Sequence, residues 1–497
     1  MKKHPKAAFR FGSAVAAMLA LSLLACLTSC FTTPPADPPA KDTHEAVTLP
    51  PVTLPDLTDD RIVTDTTPYA ETLETLFTAN EPAPAADFTY DVMENGVRIT
   101  GYTGGEVVLV IPDTVEDKSV VAIAEGAFKD MGNLKAVSVP DSVRVIGASA
   151  FEGCMSLTTL RTPVVTCPER PFFGALFGAE THEANGSFVP PVLSTLVMTA
   201  GTSEGQNADG RLPAYAFYAC RGLETVFLPA TLTEIGDFAF YGCQSLAYIP
   251  LAHTALTRVG ARAFANGGAL LGLSLPATVT YMGAGMLEGC GKLETLVVPF
   301  VGGCTYDYPL TEEEKEAIEV GDALHPAQSS AYLGYLFGAS SHTFTAGYLP
   351  ASLITVTVLE GCETIPANAF FECASVREFI LPATVKTIGR RAFYGCEALS
   401  KMSIPAGVTA IGDDAFHGCI RLVEVDFPTA DGTVELGVQT FMDCRSLVTV
   451  ILPKEVEHLP NSCFSGCLSL KTLTAEGVKT RGKQVFRHCD QLTGWEK

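Results

Sequence analysis

The words IGDFAFYGCQSL (Ile235–Leu246), VGARAFANGGAL (from Val259), IGRRAFYGCEAL (from Ile388) and IGDDAFHGCIRL (from Ile411) write one pattern repeatedly along the chain. The aromatic of each Ala-Phe pair anchors a copy: Phe128, Phe151, Phe217, Phe240, Phe264, Phe370, Phe393, Phe416, Phe441, Phe464 and Phe486, with Leu287 in the same place. Most neighbouring anchors lie 23 residues apart, and a few lie 22 to 25 apart. A fixed period of this size restricts the fold to a solenoid or a propeller. The unit is too short for a four-stranded blade. It fits one coil of a solenoid, in which each repeat touches only its neighbours.

One unit shows how a coil is written. In the stretch AFYGCEALSKMSIP (Ala392–Pro405), residues Leu399, Met402 and Ile404 give an L-x-x-L-x-L spacing. The alternation at its end has period two and predicts a short strand with one face inward. Pro405 closes the strand because proline has no N–H for the ladder. A second apolar pair, Val408 and Ile411, precedes Gly412, which turns the chain. The AF-x-G-C piece is too short for a full helix and reads as one or two helical turns. A single coil carries too little core to stand alone, so burial must come from stacking.

Three residues after the anchors stand Cys154, Cys220, Cys243, Cys290, Cys373, Cys396, Cys419, Cys444, Cys467 and Cys489, with Gly267 and Met131 as exceptions. Coils stacked at the strand spacing of about 4.8 Å would line these thiols up inside the solenoid. Cysteine behaves there as a small hydrophobe, and replacement by glycine or methionine fits a space-filling role. A metal site would need a set such as CxxC with a facing pair or a histidine. The reading is therefore buried structural thiols and no metal, with disulfides between adjacent rungs as the competing arrangement. Cys463 shares a coil with Cys467 but precedes its anchor.

The full word IGxxAFxGCxxLxxVxIP resembles the BspA-like leucine-rich repeats of bacterial surface proteins, and the resemblance covers residues from about 88 to 497. It implies a right-handed leucine-rich-repeat solenoid of ~23-residue coils, strand-rich with short helical turns. It also implies surface attachment, with adhesion or ligand binding as the role, and it carries over no catalytic residue. The stretch from Gly96 to Phe128 is similar to the usual opening of such arrays. This predicts a strand-rich N-terminal cap at 88–127 and the solenoid at 128–497. Two insertions interrupt the array, near 164–210 and 300–350. They carry PFFGALFGA (Pro171–Ala179) and YLGYLFGA (Tyr332–Ala339), each followed by a similar phrase, and read as long variant coils in which an LFG helical turn replaces AF-x-G-C. The second also holds a capping-box pattern from Thr311 to Glu314, which predicts a short acidic helix. Insertions of this kind map to loops on one face, often the binding face; filling a bend in the stack is the equal alternative.

The N-terminal region has a different logic. Residues 1–29 read as a lipoprotein signal peptide, with Lys2, Lys3, Lys6 and Arg10 before an apolar run too short for a spanning helix. Leu27-Thr28-Ser29-Cys30 resembles a bacterial lipobox, which makes Cys30 the lipidation site; Leu23-Leu24-Ala25-Cys26 is a poorer second match. Residues 30–87 are rich in Pro, Thr and Asp and predict a disordered tether. At about 3.1 Å per residue it would reach on the order of 100 Å from the bilayer.

The net charge of -22 argues against nucleic acid, whose phosphates need basic patches, and against a polybasic membrane surface. Membrane contact is then through the lipid anchor alone. No HExxH or phosphate-loop pattern is present. The oddest polar-aromatic cluster is Cys304 with Tyr306, Asp307 and Tyr308, and pairing with His325 would be the basis of an enzyme reading, the least favoured one. No catalytic residue and no cofactor is expected. The outward strand positions offer the candidate binding face: Phe227, Tyr248, Thr225 and Arg161. Phe227 and Tyr248 read as neighbouring exposed aromatics, the residue type that contact hot spots favour. The leading reading is an extracellular, lipid-anchored, non-catalytic surface protein, adhesin-like, binding a host or microbial protein or a glycan. The alternative is a structural spacer or envelope scaffold without a dedicated ligand.

Overall fold

A computed structural model describes residues 76–201, 209–305, 326–427 and 434–495. Cys30, the signal segment, most of the expected tether, the Thr311–Glu314 pattern and the Tyr306–Tyr308 and His325 positions lie outside the described residues.

The repeat folds into coils with three hydrogen-bonded sides. Lys401–Ser403 is the strand predicted from the L-x-x-L-x-L spacing, and it pairs in parallel with Glu424–Asp426 one coil later. That strand pairs with Thr449–Ile451, which pairs with Thr472–Thr474. The same row runs through the first half of the chain from Val108–Val110 by way of Ala136–Ser138, Thr159–Thr162 and Thr195–Met198 to Thr225–Phe227. After Pro405 the chain forms the two-residue strand Ala410–Ile411, paired with Thr387–Ile388 before it and Glu435–Leu436 after it. The third side is the AF-x-G-C turn. There the N–H groups of Arg391, Phe393 and Gly395 donate to the carbonyls of Asp413, Ala415 and His417 at 2.9, 2.8 and 2.9 Å. Backbone polar groups on all three sides thus find partners in the neighbouring coil, which is what permits so much backbone to be buried.

Two glycines of the word have separate causes. Gly395 has φ +68°, a left-handed turn that glycine adopts without steric cost. Gly389 has ordinary φ, but a Cβ there would sit 2.5 Å from the backbone nitrogen of Ala367 in the preceding coil. That glycine is required by how closely the coils approach.

The anchor aromatics form the core. Phe393 stacks on Phe416 with ring centroids 5.0 Å apart and planes 2° from parallel. Phe416 continues to Phe441 at 5.4 Å, and Phe441 to Phe464 at 5.5 Å. An equivalent column runs Phe217, Phe240, Phe264 at 5.0 and 5.4 Å. All of these rings are fully buried. At the N-terminal end Phe88–Met93 pairs antiparallel with Gly96–Tyr102, and Tyr102 lays its ring 6.1 Å from Phe128. At the other end Trp495 covers Phe486 at 5.3 Å and donates its indole N–H to the Leu473 carbonyl.

The two LFG segments enter this stack as coils. Ser149 and Phe151 donate to the carbonyls of Ala175 and Leu176, within the helical turn Phe173–Phe177. Gly285 and Leu287 donate in the same way to Tyr335 and Leu336, within Leu333–Phe337. Each turn ends on a left-handed glycine, Gly178 or Gly338, and leads to a second short helical stretch, Asn185–Phe188 or Thr345–Tyr348.

Replacing Phe393 by alanine should lower stability by about 3–5 kcal/mol, read as a shifted midpoint in equilibrium chemical denaturation. Gly389→Ala should also destabilise, although it adds only a methyl group, because backbone must move to admit it.

Candidate binding surfaces

The cysteine ladder is the first place to look for chemistry, and its geometry points away from reactivity. Cys243 Sγ lies 3.1 Å from the carbonyl oxygen of Phe217, the anchor of the preceding coil. Cys154, Cys290, Cys396, Cys419, Cys444, Cys467 and Cys489 repeat that contact with Phe128, Phe264, Phe370, Phe393, Phe416, Phe441 and Phe464 at 2.9 to 3.2 Å. The thiol therefore fills space and also donates to a buried carbonyl between coils. All fourteen cysteines of the described residues are buried and unbridged. Burial pushes the thiols up from the ordinary 9.0, to about 11 at Cys154 and about 12 at Cys243 and Cys290. A reactive cysteine needs the opposite shift. Cys304 is buried as well, and its backbone pairs in antiparallel fashion with that of Tyr281. Among the described residues no three His, Cys, Asp or Glu side chains gather to hold a metal ion.

The strand face behaves differently in its two halves. Phe227 and Tyr248 are neighbours, with ring centroids 6.2 Å apart in a T-shaped contact. The expectation that they are exposed is corrected: each is 8 % accessible, and together with Val197 they form a small apolar cluster separate from the main core. Thr225 is also buried, between Thr195 and Tyr248 in the strand row. Arg161 is half-buried and committed, with Nη1 3.3 Å from the Val139 carbonyl and 3.2 Å from the Asp141 carboxylate. Alternation places these side chains on the sheet face, where they are found. It failed on exposure because four strands at ladder spacing set side by side let an aromatic pair and β-branched residues cover one another.

The C-terminal half of the same face is open. Lys401, Glu424, Thr449 and Thr472 form one exposed row in register, and Glu378 is exposed at the equivalent place in the strand before them. In the row beside it Ile380 is 46 % and Ile451 is 59 % accessible.

The turn side carries surface ladders that the repeat pattern did not disclose. Tyr218 stacks on Tyr241 at 5.0 Å, and Tyr215 stacks on Phe238 at 5.1 Å. His182 of the first variant coil packs against Tyr215 and Tyr218. In the second half Phe371, Tyr394 and His417 make the corresponding column at 5.0 and 4.9 Å. The sequence signal was the residue directly after each anchor, which reads as a variable slot until its neighbours are placed.

Replacing Cys243 by alanine should cost about 1–3 kcal/mol near neutral pH. The sign with pH follows from the raised thiol. The folded state keeps its proton longer than the unfolded one, so the stabilisation is fully present below about pH 9 and is lost as pH rises through about 12. The deficit of Cys243→Ala relative to the parent should shrink over that window in denaturation curves. Native thiols should also resist a soluble disulfide reagent until the protein unfolds.

Comparison with known proteins bears on the fold and the family. The chain matches the family described as "BspA type Leucine rich repeat region" in six copies, over residues 111–173, 210–302 and 352–493. No curated protein matches it. Among solved structures it is similar to a leucine-rich repeat protein from Bacteroides ovatus, at 19% identity, covering 82% of this chain and 91% of that one with a TM-score of 0.29. It is similar to a leucine rich cell surface protein from Faecalibacterium prausnitzii, at 21% identity, covering 81% and 97% with a TM-score of 0.30. It is also similar to the pneumococcal vaccine antigen PcpA, at 17% identity, covering 80% and 86% with a TM-score of 0.28. With family matches over more than half its length, and with the repeat built as described above, the chain belongs to the BspA-type leucine-rich repeat proteins.

Proposed function

We propose that this protein is held at a bacterial cell surface by a lipid on Cys30 and binds an extracellular macromolecule, protein or glycan, without catalysis. The observation that carries the reading is the open strand face of the C-terminal coils. Exposed charges of both signs lie in register there beside exposed isoleucines. Apolar anchors surrounded by polar groups are what a recognition surface needs. Lys401 lies 3.5 Å from Glu424, with both side chains more than half exposed. A pair so placed contributes little to stability and leaves its charge available to a partner. In this reading Arg161, Thr225, Phe227 and Tyr248 stiffen the neighbouring half of the face and do not meet the partner directly. Leu27-Thr28-Ser29-Cys30 supports the anchor, and the Pro-rich stretch to residue 87 supports a tether that presents the array away from the membrane.

Two measurements test this. Cys30→Ala should move the protein from the membrane fraction to the soluble fraction and abolish incorporation of labelled fatty acid; an unchanged distribution would remove the anchor from the proposal. Purified protein should bind saturably to at least one member of a set of matrix proteins, mucins and glycans. The double change Lys401→Glu with Ile451→Asp should weaken that binding tenfold or more, about 1.4 kcal/mol per tenfold, without altering thermal unfolding. Silence across the set from well-folded protein would favour a spacer.

A further inference from the structure

The turn side holds a groove of about 660 Å3 that runs across four successive coils beside the first variant coil. One wall is the Tyr218–Tyr241 stack. The slot that holds these tyrosines is filled by Ala265 in the next coil, so no ring follows Tyr241 in the column. At the matching place in the second half, His417 closes the column over Tyr394 at 4.9 Å. Tyr241 is thus the terminal ring of its column, beside the groove. The floor is low because Gly242, Gly268 and Gly289 stand along it. A Cβ at Gly268 would touch only the Gln244 carbonyl, at 3.4 Å, and its φ is not left-handed. Nothing in the backbone demands glycine at that position, yet the space above it is empty.

The polar lining has a distinct character. Gln244 and Asn266 are exposed amides, each able to donate and to accept. Arg221 and Glu183 supply one charge of each sign, so the groove has no net charge to select a phosphate or a metal. Hydroxyl groups are also donors and acceptors at once, and amide pairs serve them well. A flat ring with an apolar face suits the aromatic wall. The volume falls within the range of ligand sites, roughly 300–1,000 Å3, and the groove is open to solvent.

From this geometry we infer that the groove formed by Tyr218, Tyr241, Arg221, Gln244 and Asn266 binds a short neutral oligosaccharide, one sugar ring lying beside Tyr241 and its hydroxyls meeting the amides. This site is on a different side of the coil from the strand face, so it stands or falls independently of the function proposed above.

The test uses the full-length protein and a panel of neutral oligosaccharides, the malto-, cello-, xylo- and N-acetyllactosamine series, with sulfated and sialylated glycans as controls, read by calorimetry and by ligand-observed NMR. At least one series should bind saturably. Tyr241→Ala should weaken it tenfold or more. Gly268→Tyr, which fills the groove and leaves the tyrosine column in place, should do the same with an unchanged melting temperature. Lys118→Glu, exposed in the N-terminal cap and outside both surfaces, should have no effect. Absence of binding across the panel overturns the inference. So does binding that survives Gly268→Tyr, since the sugar would then sit elsewhere, and so does binding confined to sulfated or sialylated controls, since the lining would then be reading charge.

Discussion

The contact between one coil and the next organises everything else in this protein. It has three simultaneous components: backbone hydrogen bonds on all sides, a phenylalanine ring laid on the ring before it, and a thiol directed at the carbonyl of the preceding anchor. None of these works unless the coils are in register, and register fixes all of them together. The Gly389 position shows how tight the arrangement is, with coil backbones so near that a methyl group would overlap the Ala367 nitrogen. The same contact explains why capping matters. Phe88 and Tyr102 at one end and Trp495 at the other give the terminal rings the apolar partner that the next coil would otherwise provide.

The thiol is worth separating from its neighbours in this scheme. The carbonyl of Phe217 already accepts the N–H of Cys220 within its own turn, at 3.1 Å. Its second lone pair faces the next coil, in a space walled by aromatic and aliphatic groups. A donor is useful there, but a strongly solvated one would lose more on burial than it gained. A sulfhydryl is apolar enough to be buried and still a weak donor. Gly267 shows that the slot tolerates loss of this contact in one coil, which fits a contribution that is small at each rung and adds up along the array.

Much of the architecture was legible because the period is a physical quantity: stacking coils demand equal lengths, and the Phe, Cys and Leu positions must recur if each coil is to fit the last. The strand assignments around Met402 and Val425 followed from alternation alone. What the sequence concealed depends on which side chains the neighbouring coils bring together. Phe227 and Tyr248 were correctly placed side by side and on the sheet face. They pack on one another and on Val197 of the preceding coil, which alternation cannot register. The Tyr241 groove was hidden for a related reason. It is defined by what is missing, Ala265 in place of a third ring and Gly268 in place of a side chain, and an absence becomes visible only when the surrounding coils are in place.

These observations divide the repeat into two kinds of position. Anchor, cysteine and strand-interior residues are constrained by the adjacent coil, and variation there is limited to substitutions such as Leu287 or Gly267 that preserve the stack. The residue after each anchor, the residue after each cysteine and the outward strand positions project from the ladder and are constrained mainly by one another. In the slot after the anchor the chain places Lys129, Glu152, Tyr218, Tyr241, Ala265 and Glu288 in succession, changing from a salt-bridged surface to an aromatic column and back. Because each coil adds one residue to each such row, a surface of defined chemistry can be assembled a row at a time without disturbing the core beneath it. The scaffold and the variable surface of this protein are therefore written in different letters of the same word.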